Sequence, residues 1–190
     1  PIREEILHGS KEKFCVRFNL DASKPIVLIT GGGTGALHLN QAIDQQAGCL
    51  AQSVQIVHLC GKAKNLREFG AYYDNQYQVV EFFDAREMGD ALAAADLVVT
   101  RAGLSALSEI SVLGKPTIII PLINTHQEEN ARYWEDREAA VVLSENNLDA
   151  LTETIESLLG NKQQLEKLSL NIKNIMPGDA AERLAEKLFS

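Results

Sequence analysis

Three short stretches carry residue types suited to holding a charged, hydroxylated ligand. The first is TGGGTGALHLN at residues 30–40, with glycines at 31, 32, 33 and 35. Glycines allow positive φ and close backbone approach, and a following helix N-terminus offers free N–H groups to an anion. This loop reads either as a phosphate site or as a tight strand-to-helix turn. The second stretch is RAGLSALSE at 101–109. Ser105 is predicted as a helix N-cap, which puts Ser108 at N3 and Glu109 one residue too late for a capping box. Glu109 then either complements the helix dipole or accepts two hydrogen bonds from a vicinal diol, such as a ribose pair. The third stretch is THQEENARYW at 125–134. Gln127 and Asn130 stand at i and i+3 and share one helix face. Their amides donate and accept, which suits sugar hydroxyls; an ordinary polar helix start has the same composition.

Spacing narrows the choice of phosphate compound. Gly31, Gly33 and Ala36 fit G-x-G-x-x-A, a dinucleotide pattern. That pattern also needs an acid at the end of the second strand for the adenosine ribose, and no Asp or Glu occurs between Asp44 and Glu68. A NAD-type reading therefore lacks its most specific residue. No Lys-Ser/Thr pair follows the glycines, so this is not a Walker loop. His8, His38, His58 and His126 do not pair at metal-ligand spacing, and there is no D-x-D to hold a metal-bound sugar nucleotide. The reading calls for no cofactor. Charge on a diphosphate would fall to backbone N–H groups, helix dipoles and basic side chains. Lys62 and Arg101, at strand ends, either serve that purpose or face solvent. His58, inside a strand, reads as a satisfied core residue, and no Ser-His-Asp arrangement can be ordered.

The elements that must position these loops are legible as alternation. Six β-rich runs occur: PIVLIT (25–30), VQIVHLC (54–60), YQVVEFF (77–83), DLVVT (96–100), TIIIP (117–121) and AVVL (140–143). They are continuously apolar, which suits parallel strands covered on both faces. Helical spacing separates them, as in Leu39, Ile43, Ala47 and Leu50. The fold class is therefore α/β: a Rossmann-like parallel sheet of about six strands flanked by helices, with a helical C-terminal extension. That extension runs through Leu151, Ile155 and Leu158, then Leu165, Leu168 and Ile172, then Leu184 and Leu188. Residues 1–190 read as one domain. Ligands of such sheets bind beyond the carboxyl ends of the strands, which directs attention to loops 31–36, 61–65, 83–88, 101–105 and 122–130.

Composition sets outer limits. A net charge of -8 argues against a nucleic-acid binder, which needs a basic face for phosphates. Cys15, Cys49 and Cys60 are odd in number and scattered, as expected for reduced thiols in a cytoplasmic protein. No apolar stretch approaches the roughly 20 residues of a membrane-spanning helix.

Taken in order, the motifs resemble the C-terminal half of MurG-type glycosyltransferases. PIREEI is similar to the family's interdomain linker, GGGTGALHLN to its glycine loop, and HLCGK to its HQTGK. DALAAADLVVTRAGLSALSEI and GKPTIIIPL followed by HQEENA are similar to its two strongest signatures. The resemblance covers essentially the whole chain. It implies a GT-B enzyme that transfers N-acetylglucosamine (GlcNAc) from UDP-GlcNAc to lipid I in peptidoglycan synthesis. It implies Arg3, Gly33 and Thr34 near the donor diphosphate and Phe83, ending the third strand, at the uracil. It implies Leu104, Ser105, Ala106, Leu107, Ser108 and Glu109 around the nucleotide, with Glu109 on the ribose, and Gln127 and Asn130 on the GlcNAc hydroxyls. The catalytic base and the lipid-linked acceptor would belong to an N-terminal domain not contained in this chain, so the chain alone is expected to be inactive. The whole enzyme would sit on the cytoplasmic face of the inner membrane. Other UDP-sugar transferases, of glycolipid or N-glycan type, and a NAD-type domain are the alternative readings.

Overall fold

The computed structural model describes residues 2–32, 36–62 and 76–175. Two short helices come first, α1 (Glu4–Leu7) and α2 (Lys11–Arg17). Then β1 (Ile26–Thr30), α3 (Leu37–Leu50), β2 (Gln55–Leu59) and β3 (Tyr77–Val80) follow. The second half holds α4 (Ala85–Ala94), β4 (Leu97–Thr100), α5 (Leu104–Leu113), β5 (Thr117–Ile119), α6 (Gln127–Glu135) and β6 (Val141–Val142). A 3-10 turn (Glu145–Ala150), α7 (Leu151–Leu159) and α8 (Lys162–Lys173) complete it. Leu184 and Leu188 lie outside the described residues.

The six strands form one sheet in the order β3-β2-β1-β4-β5-β6, and every pairing is parallel. The continuously apolar strands follow from this. Ile26 and Leu28 pack into one core layer, with Phe14, Leu92, Leu107 and Trp134 from the helices on that face. Val27 and Ile29 pack into the other, with Leu39 and Ile43 of α3 and Leu151 and Ile155 of α7. Strand order reverses between β1 and β4, the neighbours at the sheet's centre: β2 and β3 extend to one side and β5 and β6 to the other, so the carboxyl ends of β1 and β4 open a crevice.

Two boundaries differ from those read in the sequence. β3 stops at Val80, not Phe83, so Phe83 is not a strand residue. The stretch DAREMGD, read as a loop, is the start of α4. Asp84 is its N-cap and accepts from the Glu87 N–H, while Glu87 accepts from the Asp84 N–H. This capping box is present in the sequence as D-x-x-E.

The N-terminal segment is packed onto α4 at a glycine crossing. A β-carbon at Gly9 would lie 2.0 Å from the Gly89 carbonyl oxygen, and one at Gly89 would lie 2.6 Å from that of Glu5. The Ser10 N–H donates to Asp90 Oδ1 at 2.7 Å, next to this crossing. On α2, Phe14 and Phe18 stack their edges against Phe83, with ring centroids 5.9 and 5.7 Å away.

His58 is the fully buried polar residue that the sequence suggested. Asn40 Nδ2 donates to the Cys60 carbonyl at 2.9 Å, which leaves Asn40 Oδ1 as the acceptor for His58 Nε2 at 3.0 Å. His58 Nδ1 then accepts from the Tyr77 hydroxyl at 3.0 Å. Burial pushes the imidazole pKa down to about 3. A group depressed in the fold contributes its full stability above its unfolded value, about 6.5, and loses it as pH falls. In urea unfolding, stability is expected to fall below about pH 6 by up to about 1.4 kcal/mol per pH unit from this residue. A His58→Gln variant, less stable at neutral pH, should show a shallower slope.

Candidate functional site

The crevice at the centre of the sheet contains a cavity of about 340 Å³. Its floor is Thr30 and Gly32 after β1 and Leu59 of β2, and one wall is the segment Glu81–Phe83. The opposite wall is the first turns of α5, contributed by Gly103, Leu104, Ser105, Ala106 and Glu109. Gly32 has φ +88, a left-handed conformation that glycine adopts without strain. Gly33 and Thr34 lie outside the described residues.

The start of α5 differs from the expected one. Its N-cap is Gly103, in extended conformation and with no side chain to cap the helix. Ser105 is therefore the second helical residue, not the cap. The cause is backbone geometry, because the chain turns from β4 into the helix within Arg101–Gly103. With no capping side chain, the first-turn N–H groups of Leu104, Ser105 and Ala106 are left without an intrahelical acceptor, at the positive end of the helix dipole, and these three residues border the cavity.

Four of the six residues 104–109 border the cavity. The Leu107 side chain is fully buried in the core behind α5. The Ser108 hydroxyl donates to the Leu104 carbonyl at 2.7 Å, one turn back. Glu109, 8% exposed, is held by a partner 106 residues away. Arg3 Nε donates to one carboxylate oxygen at 2.7 Å and Arg3 Nη2 to the other at 2.9 Å. This two-point pairing raises the guanidinium pKa, chiefly through the hydrogen bond. Half of the Arg3 side chain stays in solvent, so the pair adds little to folding. Its effect is to aim both groups into one space. On the facing wall the ring of Phe83 is buried against α2, and the exposed aromatic is Phe82, with Lys62 Nζ 4.0 Å from its ring centroid.

A second cavity, about 300 Å³, lies beyond the Arg101–Gly103 turn. Ala36, Leu37 and His38, at the start of α3, line one side, and Gln127 of α6 lines the other. Arg101, read as facing either a diphosphate or solvent, does not face solvent and is among the residues that line this cavity. It is buried, bonded to Glu145 and donating to the Ile120 and Pro121 carbonyls at 3.2 and 3.3 Å. His38 Nδ1 stands 3.6 Å from the same carboxylate. Gln127 and Asn130 both reach the backbone of Ala102: Gln127 Oε1 accepts from its N–H at 3.2 Å, and Asn130 Nδ2 donates to its carbonyl at 3.0 Å.

Residues 26–184 match the model of the glycosyltransferase family 28 C-terminal domain. The chain belongs to this family. Within it, the chain is 34% identical over 198 residues to the "UDP-N-acetylglucosamine--N-acetylmuramyl-(pentapeptide) pyrophosphoryl-undecaprenol N-acetylglucosamine transferase" of Flavobacterium psychrophilum, covering 100% of the chain and 53% of that protein. A protein of the same description from Bacillus pumilus is 35% identical over 193 residues, with 97% and 53% covered. The chain spans about half the length of these relatives. Among solved structures, MurG of Acinetobacter baumannii superposes with a TM-score of 0.74 at 24% identity, over 94% of this chain and 52% of that one. A complex of MnaA from S. aureus with UDP gives 0.70 at 12% identity, over 92% and 47%. At such identities these two establish the fold alone. The chain carries features no local motif announced: the Arg3–Glu109 pair, the Arg101–Glu145 pair, and the amide grip on Ala102. Only the last had a signal, the shared helix face of Gln127 and Asn130.

Proposed function

We propose that the chain is the UDP-GlcNAc-binding half of an inverting glycosyltransferase that passes GlcNAc to a lipid-linked acceptor, as the names of its relatives describe for those proteins. The observation that carries the reading is the first cavity. An uncapped helix N-terminus and a buried-edge carboxylate in the second turn of the same helix border one cavity, as a phosphate and a ribose diol of one nucleotide require. In this reading the N–H groups of Leu104, Ser105 and Ala106 receive the diphosphate. Glu109 accepts from the ribose hydroxyls, and the Glu81–Phe83 edge with the exposed Phe82 meets the base. GlcNAc extends past the Arg101–Gly103 turn into the second cavity, beside Gln127 and Asn130.

The chemistry of this half follows from charge. As the acceptor hydroxyl attacks the anomeric carbon, the sugar–phosphate bond breaks and negative charge grows on the departing UDP. Fixed N–H groups and the α5 dipole stabilise that charge without reorganising. The base that takes the acceptor proton would come from a second domain, on the cytoplasmic membrane face.

A thermal-shift panel tests the reading. UDP and UDP-GlcNAc at a hundred times their Kd are expected to add about 2.7 kcal/mol, a rise of about 5–10 °C in Tm at about 2–4 °C per kcal/mol. NAD should add nothing. No shift with any uridine nucleotide would overturn the proposal. A larger shift with a different UDP-hexose would assign the domain to another UDP-sugar transferase.

A further inference from the structure

We infer that Gln127 and Asn130 are positioning residues for the α5 N-terminus, holding the two peptide groups that flank Ala102, one through its N–H and one through its carbonyl, and so setting the anion-binding turn of the first cavity. The inference rests on the UDP-sugar reading above and goes past it, since that reading gives the two amides only a hexose to touch.

Three facts carry it. First, Ala102 is fully buried, and it lies between the end of β4 and the Gly103 N-cap of α5. A buried residue must have both its backbone N–H and its carbonyl satisfied. Here they are satisfied by Gln127 Oε1 and Asn130 Nδ2. Second, Gln127 Oε1 also accepts from the Leu122 N–H at 3.2 Å. One oxygen thus ties the turn after β4 to the loop after β5, and the amide orientation is fixed by two donors. Third, the grip is fixed in polarity. With Oε1 held by two N–H groups, Gln127 offers the second cavity only its Nε2 donors. With one Nδ2–H on a carbonyl, Asn130 has its amide orientation fixed too, and keeps its Oδ1 acceptor and the second Nδ2–H.

This arrangement makes the two cavities one machine part. Ala102 stands in the chain between Arg101, which lines the second cavity, and Gly103, which lines the first and caps α5. Loss of the grip leaves a buried N–H or carbonyl without a partner, and the turn shifts to find one. The effect reaches a ligand that never touches Gln127.

The test uses UMP, which ends at the first phosphate, beside UDP-GlcNAc, with Kd measured by calorimetry and folding checked by circular dichroism. Gln127→Ala and Asn130→Ala are expected to weaken UMP by about five-fold or more, the effect of one buried hydrogen bond left unmade. UDP-GlcNAc should weaken at least as much. Gln127→Glu keeps an oxygen acceptor for both N–H groups and removes the Nε2 donors. It should restore UMP affinity to near the parent's while UDP-GlcNAc stays weak. Folded alanine variants with parental UMP affinity would overturn the inference and leave the amides as hexose contacts only. Failure of the parent itself to bind UMP or UDP-GlcNAc would overturn the nucleotide-site reading instead.

Discussion

Replacing Glu109 with alanine is expected to weaken UDP and UDP-GlcNAc by about ten-fold or more, the loss of one or more hydrogen bonds to a charged acceptor. The carboxylate is nearly buried and its two oxygens both line up with donors already, those of Arg3. A ribose diol offers the same pattern of two adjacent donors. Arg3 therefore holds the carboxylate in the geometry a diol needs. On binding, the guanidinium would turn from Glu109 toward the incoming diphosphate. The substitution also frees Arg3, which can recover part of the loss through the phosphates. The clean measurement therefore compares UDP with 2′,3′-dideoxy-UDP by calorimetry. The parent should bind the dideoxy compound weakly, and Glu109→Ala should bind both about equally. Equal UDP affinity in parent and variant would remove Glu109 from the ribose site.

A second substitution is expected to act on the fold instead. Glu145→Ala leaves Arg101 buried at the end of β4 without its counter-charge. Breaking a buried pair from one side costs about 3–5 kcal/mol, which for a domain of this size lowers Tm by roughly 10 °C. The nearby His38 is exposed and 3.6 Å from the lost carboxylate, so it cannot compensate. Removing both charges together, as Arg101→Met with Glu145→Leu, should recover most of the loss, because the desolvation of two ions disappears with their attraction. The recovery is incomplete, since the Ile120 and Pro121 carbonyls lose their donor. Calorimetric melting of the three proteins checks this. A single variant as stable as the parent would mean that water reaches Arg101.

The sheet was legible because each strand pays twice for burial, once on each face, and so shows an unbroken apolar run. All six runs became strands, and only their ends moved. β3 was overdrawn because Phe82 and Phe83 extend an apolar run that the backbone leaves at Val80; one ring goes to solvent and the other to the core. The α5 cap was misplaced for a related reason. Ser105 has the side chain of a cap, but the turn that ends in Gly103 is set by peptides held from α6, and no local pattern encodes that. The site was legible in the residue types on each loop and not in their partners. Glu109 meets Arg3 across 106 positions and Arg101 meets Glu145 across 44, distances over which charge alone has too many candidates.

The crossing of Gly9 and Gly89 gives the N-terminal segment a reach that side chains do not set. The two backbones touch there, with no room for a methyl group on either. Six residues earlier in the chain, the same segment ends at Arg3 on the lip of the first cavity. The crossing is thus the fulcrum of a short lever, and the thickness of two bare peptides is the gauge that sets its far end against α5. Widening the fulcrum by one carbon would lift the guanidinium from Glu109 without altering any atom that a ligand touches.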